Sequence, residues 1–426
     1  MKNIQMWMCM FISILWMWGN PTWAQEVSDP SSAPDVKTTP IVETNQPANE
    51  EPTVTAVSVK EESNVTAAPG KKESNVPVTP EKEEPKTAET KDKIKDPLKF
   101  KGDLRYRHEA IKKGDKKMDH RHRIRMRFGA FSEIAETLEL GFQIASGGGD
   151  PISTNQTLTP AFTKKPMTID LAYFQYKVAG FAIVGGKMKN PLFRPGDSQL
   201  IWDSDLTPEG ITAAYEITTD TFKLSALGLA LWNADRKDDE KDSYILGGQA
   251  RAHAKFDDFT LCAAGGFYNF SKIKGYAALY ENKAFGNTLD ANELYVNDYN
   301  IVDAGLEVKG KLGSLPFSIF GQLAFNMATD EEKTGFLAGF SIGETKKSMG
   351  WKLGYNFRSL QKDAVFGTYT DSDFIGASTG GTGHVVSAEF ALTDKLVLGA
   401  TVQRSTINDG NDTAYTRIQI DASIKL

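Results

Sequence analysis

The chain ends in RIQIDASIKL, residues 417–426. Ile418, Ile420, Ala422, Ile424 and Leu426 form an apolar row, and Arg417, Gln419, Asp421, Ser423 and Lys425 a polar one. A period of two belongs to a strand whose two faces meet different surroundings. The fold turns on what the apolar row meets: a protein core, as in a soluble sandwich, or lipid around a closed barrel.

The same period recurs upstream. In YILGGQARAHAKF (244–256), Tyr244, Leu246, Gly248, Ala250, Ala252, Ala254 and Phe256 share one face, and Gln249, Arg251, His253 and Lys255 the other. Aromatics close both ends of the apolar face, as at two lipid–water interfaces. Phe259, Leu261, Ala263 and Phe267 form another such row, as do Phe317, Ile319, Leu323, Phe325 and Met327. Sixteen segments of this kind are predicted between residues 99 and 426. Long connections (147–167, 191–208, 271–297, 361–381) alternate with tight ones such as Gly180, Asp257-Asp258 and Asp394. A soluble sandwich has no reason to segregate loop lengths in this way. An up-and-down membrane barrel does, with short periplasmic turns and longer outer loops. The predicted fold is therefore all-β: a transmembrane antiparallel barrel of about sixteen strands over 97–426, with the tail and the C-terminus periplasmic.

The start of the chain supports an envelope location. Lys2, an apolar stretch from Met6 to Trp18 and the small-x-small triplet Thr22-Trp23-Ala24 read as a signal peptide, 1–24. Residues 25–96 are rich in Pro, Glu, Lys, Thr and Ser, carry an imperfect repeat (ESNVTAAP, 62–69; ESNVPVTP, 73–80), and read as disordered. That tail is either a spacer or a tether to the cell wall. It holds fifteen acidic and nine basic residues, so the formal charge of −6 belongs to it, and a nucleic-acid partner is not expected. Cys9 leaves with the signal peptide, so Cys262 has no cysteine to pair with and reads as a small packed residue.

The functional signal lies in RHRIRMRF (121–128). Arg121, Arg123, Arg125 and Arg127 share one face, and a hairpin would set Arg105 and Arg107 beside them. Six guanidinium groups on one patch need water or carboxylates between them. Asp103, Glu109 and Asp119 share their parity and offer local compensation. A wet pore wall accommodates such a patch, and Lys187 and Lys189 are expected to extend it. The connection 191–208 carries prolines, Phe193 and Trp202 together with Asp197, Asp203 and Asp205. Folded inward, it would narrow the pore and oppose carboxylates to arginines, giving a transverse field that favours polar solutes. Packing of the loop on the barrel rim is the alternative. Asp371 and Asp373 form a second acidic loop. His120 and His122 are two apart on a strand and read as a solvated strand end; no metal, cofactor or catalytic motif is found, and an enzyme is not expected.

GGKMKNPLF (185–193), LIWDSDLTPEG (200–210), DAVFGTYTDSDF (363–374) and the arginine strand RHRIRMRFGAF (121–131) resemble the putative porin family of Gram-negative outer membranes. The resemblance covers about 98–426. It implies an outer-membrane barrel for passive uptake of small hydrophilic solutes or ions. The more distant likeness to general diffusion porins implies sixteen strands, an inward loop after the fifth, and a homotrimer. It marks Asp197, Asp203 and Asp205 as constriction acids. One departure is Leu426, where many such barrels end in an aromatic. The competing hypothesis is a plugged barrel that serves as a structural anchor or surface adhesin.

Overall fold

The computed structural model describes residues 98–158, 160–237 and 241–426. The predicted signal peptide and tail lie outside the described residues. Sixteen long strands and one short piece follow in order. They are β1 (Lys99–Lys113), β2 (Asp119–Ala135), β3 (Leu138–Ser146), the two-residue β4 (Gln156–Thr157), β5 (Met167–Val178), β6 (Phe181–Lys187), β7 (Glu209–Thr218), β8 (Phe222–Ala234) and β9 (Ser243–Lys255). The second half holds β10 (Phe259–Phe270), β11 (Tyr299–Leu312), β12 (Leu315–Asn326), β13 (Thr334–Glu344), β14 (Trp351–Leu360), β15 (Gly381–Ala391), β16 (Leu396–Ile407) and β17 (Thr413–Lys425).

Each long strand pairs antiparallel with the next, and β1 pairs with both β2 and β17, which closes a sixteen-stranded barrel. Closure leaves no open strand edge, so the ladder hydrogen bonds are made within the protein, as a span through lipid demands. The short piece β4 pairs with β2 through Arg123 and Ile124 and stands outside the count.

The C-terminal strand answers the opening question. Gln419 and Arg417 are buried inside the barrel, whereas Ile420 and Ile424 lie on the exterior. Leu246, Ile319 and Leu323 are likewise outside, each more than half exposed. Such a continuous apolar exterior is foreign to a protein surrounded by water and suited to one surrounded by lipid.

Local features set two strand ends and the character of the interior. The segment Ser132–Ile134 continues β2 through a bulge at Glu133/Ala135, and the turn falls at residues 136–137. β6 ends at Lys187, because Met188 is already buried and the Asn190 side chain accepts a hydrogen bond from the Leu192 N–H in the following turn. The interior is also drier than a plain aqueous lumen. Leu229, Leu231, Ile245, Tyr268, Phe270, Tyr299 and Ile301 point inward near the long-loop end and form an apolar cluster with Trp202, Phe366 and Phe374 from the loops. Trp202 meets Tyr268 edge-on at 5.2 Å and stacks on Phe270 at 6.0 Å. Long connections that fold into a barrel need an apolar bed, and these strand ends supply it.

Candidate functional site: a charged lumen crossed by two loops

The hairpin of β1 and β2 sets Arg105 opposite Arg125 and Arg107 opposite Arg123 in register. Side chains at alternate positions share a face, so Arg105, Arg107, Arg121, Arg123, Arg125 and Arg127 all stand on the lumen side. The intervening His108, His120 and His122 fall on the exterior. There His122 Nδ1 lies 2.7 Å from the Tyr106 hydroxyl, and the rings of His108 and His120 stack at 5.4 Å.

Carboxylates hold this cationic wall together. Asp103 accepts from Arg125 at 2.9 Å and from Arg127 at 2.7 Å. Glu109, fully buried, accepts from Arg121, from Arg417 Nε at 2.7 Å and from Gln419 at 3.0 Å. Asp421 takes Arg107 in a two-pronged pair at 2.7 and 2.8 Å, the geometry for which guanidinium is suited. Arg417 and Asp421 belong to the alternation that opens the sequence analysis, but barrel closure is what brings them to β1.

The connection after β6 runs across the bore. The Phe193 N–H donates to Gln249 Oε1 on β9 at 2.8 Å, and Gln249 returns a bond to the Phe193 carbonyl at 3.0 Å. Ser198 donates to Gln322 on β12 at 2.6 Å. Gly196, with φ of +61°, sits so close to the Phe320 ring that a Cβ there would lie within 2.3 Å of it. Only glycine suits both the backbone angle and that approach. The loop then returns to the arginine wall, where Asp205 meets Arg127 at 3.4 Å and Arg125 at 3.5 Å.

The second acidic loop, between β14 and β15, comes inward as well. Asp373 accepts from Arg417 at 2.6 Å, from Arg107 at 3.1 Å and from Gln419 at 2.9 Å. Asp371 pairs with Arg358 at 2.9 Å, and the Arg358 guanidinium lies 4.5 Å from the Phe374 ring centre. Burial disfavours the charged form of Asp373, yet Arg417, Arg107, the Gln419 bond and Arg105 outweigh it and hold the carboxyl far below the usual range.

Three expected residues take other places. Lys187 does not join the basic wall: Glu209 neutralises it at 2.9 Å, and it also donates to the Thr207 carbonyl. Lys189 is exposed in the connection beyond the end of β6. Asp203 opposes no arginine in the manner expected; it is buried and accepts from the backbone N–H groups of Asp205 at 2.6 Å and Ser372 at 2.7 Å, stitching the two loops together. Asp197 stays exposed and lines the luminal cavity between the loops and the wall. Sequence reasoning missed Arg358 and Arg417. Parity marked Arg417, whereas Arg358 in WKLGYNFRSL carries no local signal.

Burial, and then the neighbouring Asp371 and Asp205, push the Asp203 carboxyl well above its ordinary range. A raised carboxylate pKa contributes stability that is complete below the unfolded value of about 3.9 and is lost as pH rises through the folded value. Ionised, Asp203 keeps its two N–H bonds but repels Asp371 of the other loop, so the loops are expected to part on the alkaline side, seen as noisier channel current or faster proteolysis of the loops. Asp203→Asn removes that pH dependence; a variant as pH-sensitive as the parent refutes this role.

A closed antiparallel barrel whose lumen is lined by charge and crossed by an inward loop defines the class of outer-membrane channel barrels. The family model described as "Putative porin" matches residues 111–300 and 316–426. The chain belongs to that family and is an integral outer-membrane barrel. Among solved structures, OprB of Pseudomonas putida is similar with a TM-score of 0.52 at 11% identity, over 78% of this chain and 94% of that one. OmpF of Salmonella typhi, in a complex with daunomycin, gives 0.49 at 12% identity, over 77% and 97%. The trimer form of in-vitro folded OmpT from Vibrio cholerae gives 0.44 at 14%, over 78% and 100%. At these identities the likeness is one of fold. No curated protein sequence matches the chain.

Proposed function

We propose that the protein is a channel for passive diffusion of small hydrophilic solutes, with a basic pore wall facing acidic inward loops. Family membership points to a channel rather than an enzyme. The termini lie on the periplasmic side and the long connections outside. The observation that carries the reading is the pair of inward loops: one brings Asp205 to Arg125 and Arg127, the other Asp373 to Arg107 and Arg417. Fixed charges of both signs across a narrow bore produce a transverse field that orients dipolar solutes and opposes apolar ones.

The test is single-channel conductance of the folded protein in a planar bilayer under a salt gradient. Steady current steps are expected. Arg123→Gln combined with Arg125→Gln should lower anion relative to cation permeability by about two- to fivefold. An unchanged reversal potential sinks the role given to those arginines.

One observation favours a second reading. The apolar cluster around Trp202, Phe270 and Phe366 narrows the long-loop end, as a plugged anchor or adhesin would require. Liposome swelling with small sugars separates the two, since a plugged barrel gives none. Homotrimer assembly and contact of the 25–96 tail with the cell wall belong to the same proposal. Mass in detergent tests the first, and binding of the full chain, against a chain lacking 25–96, to purified cell-wall sacculi tests the second.

A further inference from the structure

The arginine wall and the two inward loops enclose a polar cavity of about 290 Å³, at the low end of ligand-sized cavities. Four guanidinium groups line it: Arg105, Arg107, Arg358 and Arg417. Two of them are saturated. Arg107 is held by Asp421 and Asp373, and Arg417 by Glu109 and Asp373. The other two are not. Arg358 is 2% exposed, gives Nη2 to Asp371, and leaves Nε and Nη1 without a protein partner. Arg105 gives Nη2 to Asn155 at 2.7 Å and leaves a buried Nε unpartnered. Among the described residues no carboxylate lies within ion-pair distance of Arg105. Buried charged donors left without an acceptor are costly, and a carboxylate is the acceptor that fits them best.

The rest of the lining refines the ligand. Ser387 and Thr401 offer hydroxyl groups that donate and accept, which suits hydroxyls. Asp197 lines the same cavity with no ion pair among the described residues, and it repels a second carboxylate. We propose that this cavity is a binding subsite for a small hydroxylated monocarboxylate, of the size of a six-carbon sugar acid, with its carboxylate held between Arg105 and Arg358. The inference deepens the channel reading and rests on it for its meaning: the subsite would select which solutes dwell in the bore.

The test is calorimetric titration of the full-length folded protein in detergent with sodium gluconate, with sorbitol as the hydroxylated control that lacks a carboxylate. Saturable binding of gluconate and none of sorbitol are expected. Arg358→Gln should weaken gluconate binding about tenfold or more, as expected for loss of a charged hydrogen-bond donor. Arg105→Gln is the second variant, should Arg358→Gln fail to fold. Absence of gluconate binding, or equal affinity in the folded variants, overturns the subsite. Conductance in potassium chloride addresses the channel separately. Current steps without gluconate binding overturn the subsite and spare the channel, whereas gluconate binding without current supports the subsite and overturns the channel.

Discussion

Glu109→Ala is expected to cost the barrel about 3–5 kcal/mol, the penalty of stranding buried charges once their partner is removed. Its carboxylate has no exposure and receives Arg121, Arg417 and Gln419. Without it Arg417, itself only 3% exposed, keeps Asp373 as its carboxylate partner beside the Ser372 carbonyl, and Arg121 faces Arg123 with no carboxylate between them. The measurement is the temperature at which the folded barrel loses its sheet signal in detergent. The physics also sets a sharper condition. Replacing both partners, Glu109→Gln with Arg417→Met, should recover part of the loss, because Arg417 is then no longer a buried charge short of a partner and Asp373 keeps Arg107. A single variant as stable as the parent, or a double variant worse than the sum of the singles, contradicts the account.

The second large effect concerns the loop between β14 and β15. Asp373 ties it to Arg107, Arg417 and Gln419, and Asp371 ties it to Arg358. Asp373→Asn combined with Asp371→Asn removes both charges that hold the loop against the wall. Charge-assisted bonds are worth about 1.5–3 kcal/mol each, so the pair exceeds thermal energy several times over. The released loop should swing away from the wall, raise single-channel conductance and make the current fluctuate. The double variant also leaves Arg358 without its carboxylate and takes one of two from Arg107 and from Arg417, so selectivity should shift towards anions at the same time. Conductance and reversal potential identical to the parent would show that the loop is held by its apolar contacts through Phe366 and Phe374 instead.

The barrel was legible for a physical reason. Lipid outside and polar groups inside impose opposite demands on alternate residues, so each strand records its surroundings in its own sequence. RIQIDASIKL and YILGGQARAHAKF carry that record plainly. The arginine face of β2 was legible likewise, since four arginines two apart must share a side. Where both faces turn apolar, as in ALGLALW (226–232), the alternation fades, because the inward Leu229 and Leu231 back a loop rather than water.

The strands, their facing, the segregation of loop lengths and the cationic side of β2 can all be read along the chain, because each follows from neighbours a few residues apart. Which charges meet depends on the folded barrel. Arg107 finds Asp421 across 314 residues and Arg417 finds Glu109 across 308, through closure of β1 on β17. Lys187 was drawn to its neighbour Glu209 instead of the wall, and Asp203 to backbone N–H groups instead of an arginine. A charge's partner depends on distance in space and on burial, and neither is written in a period of two.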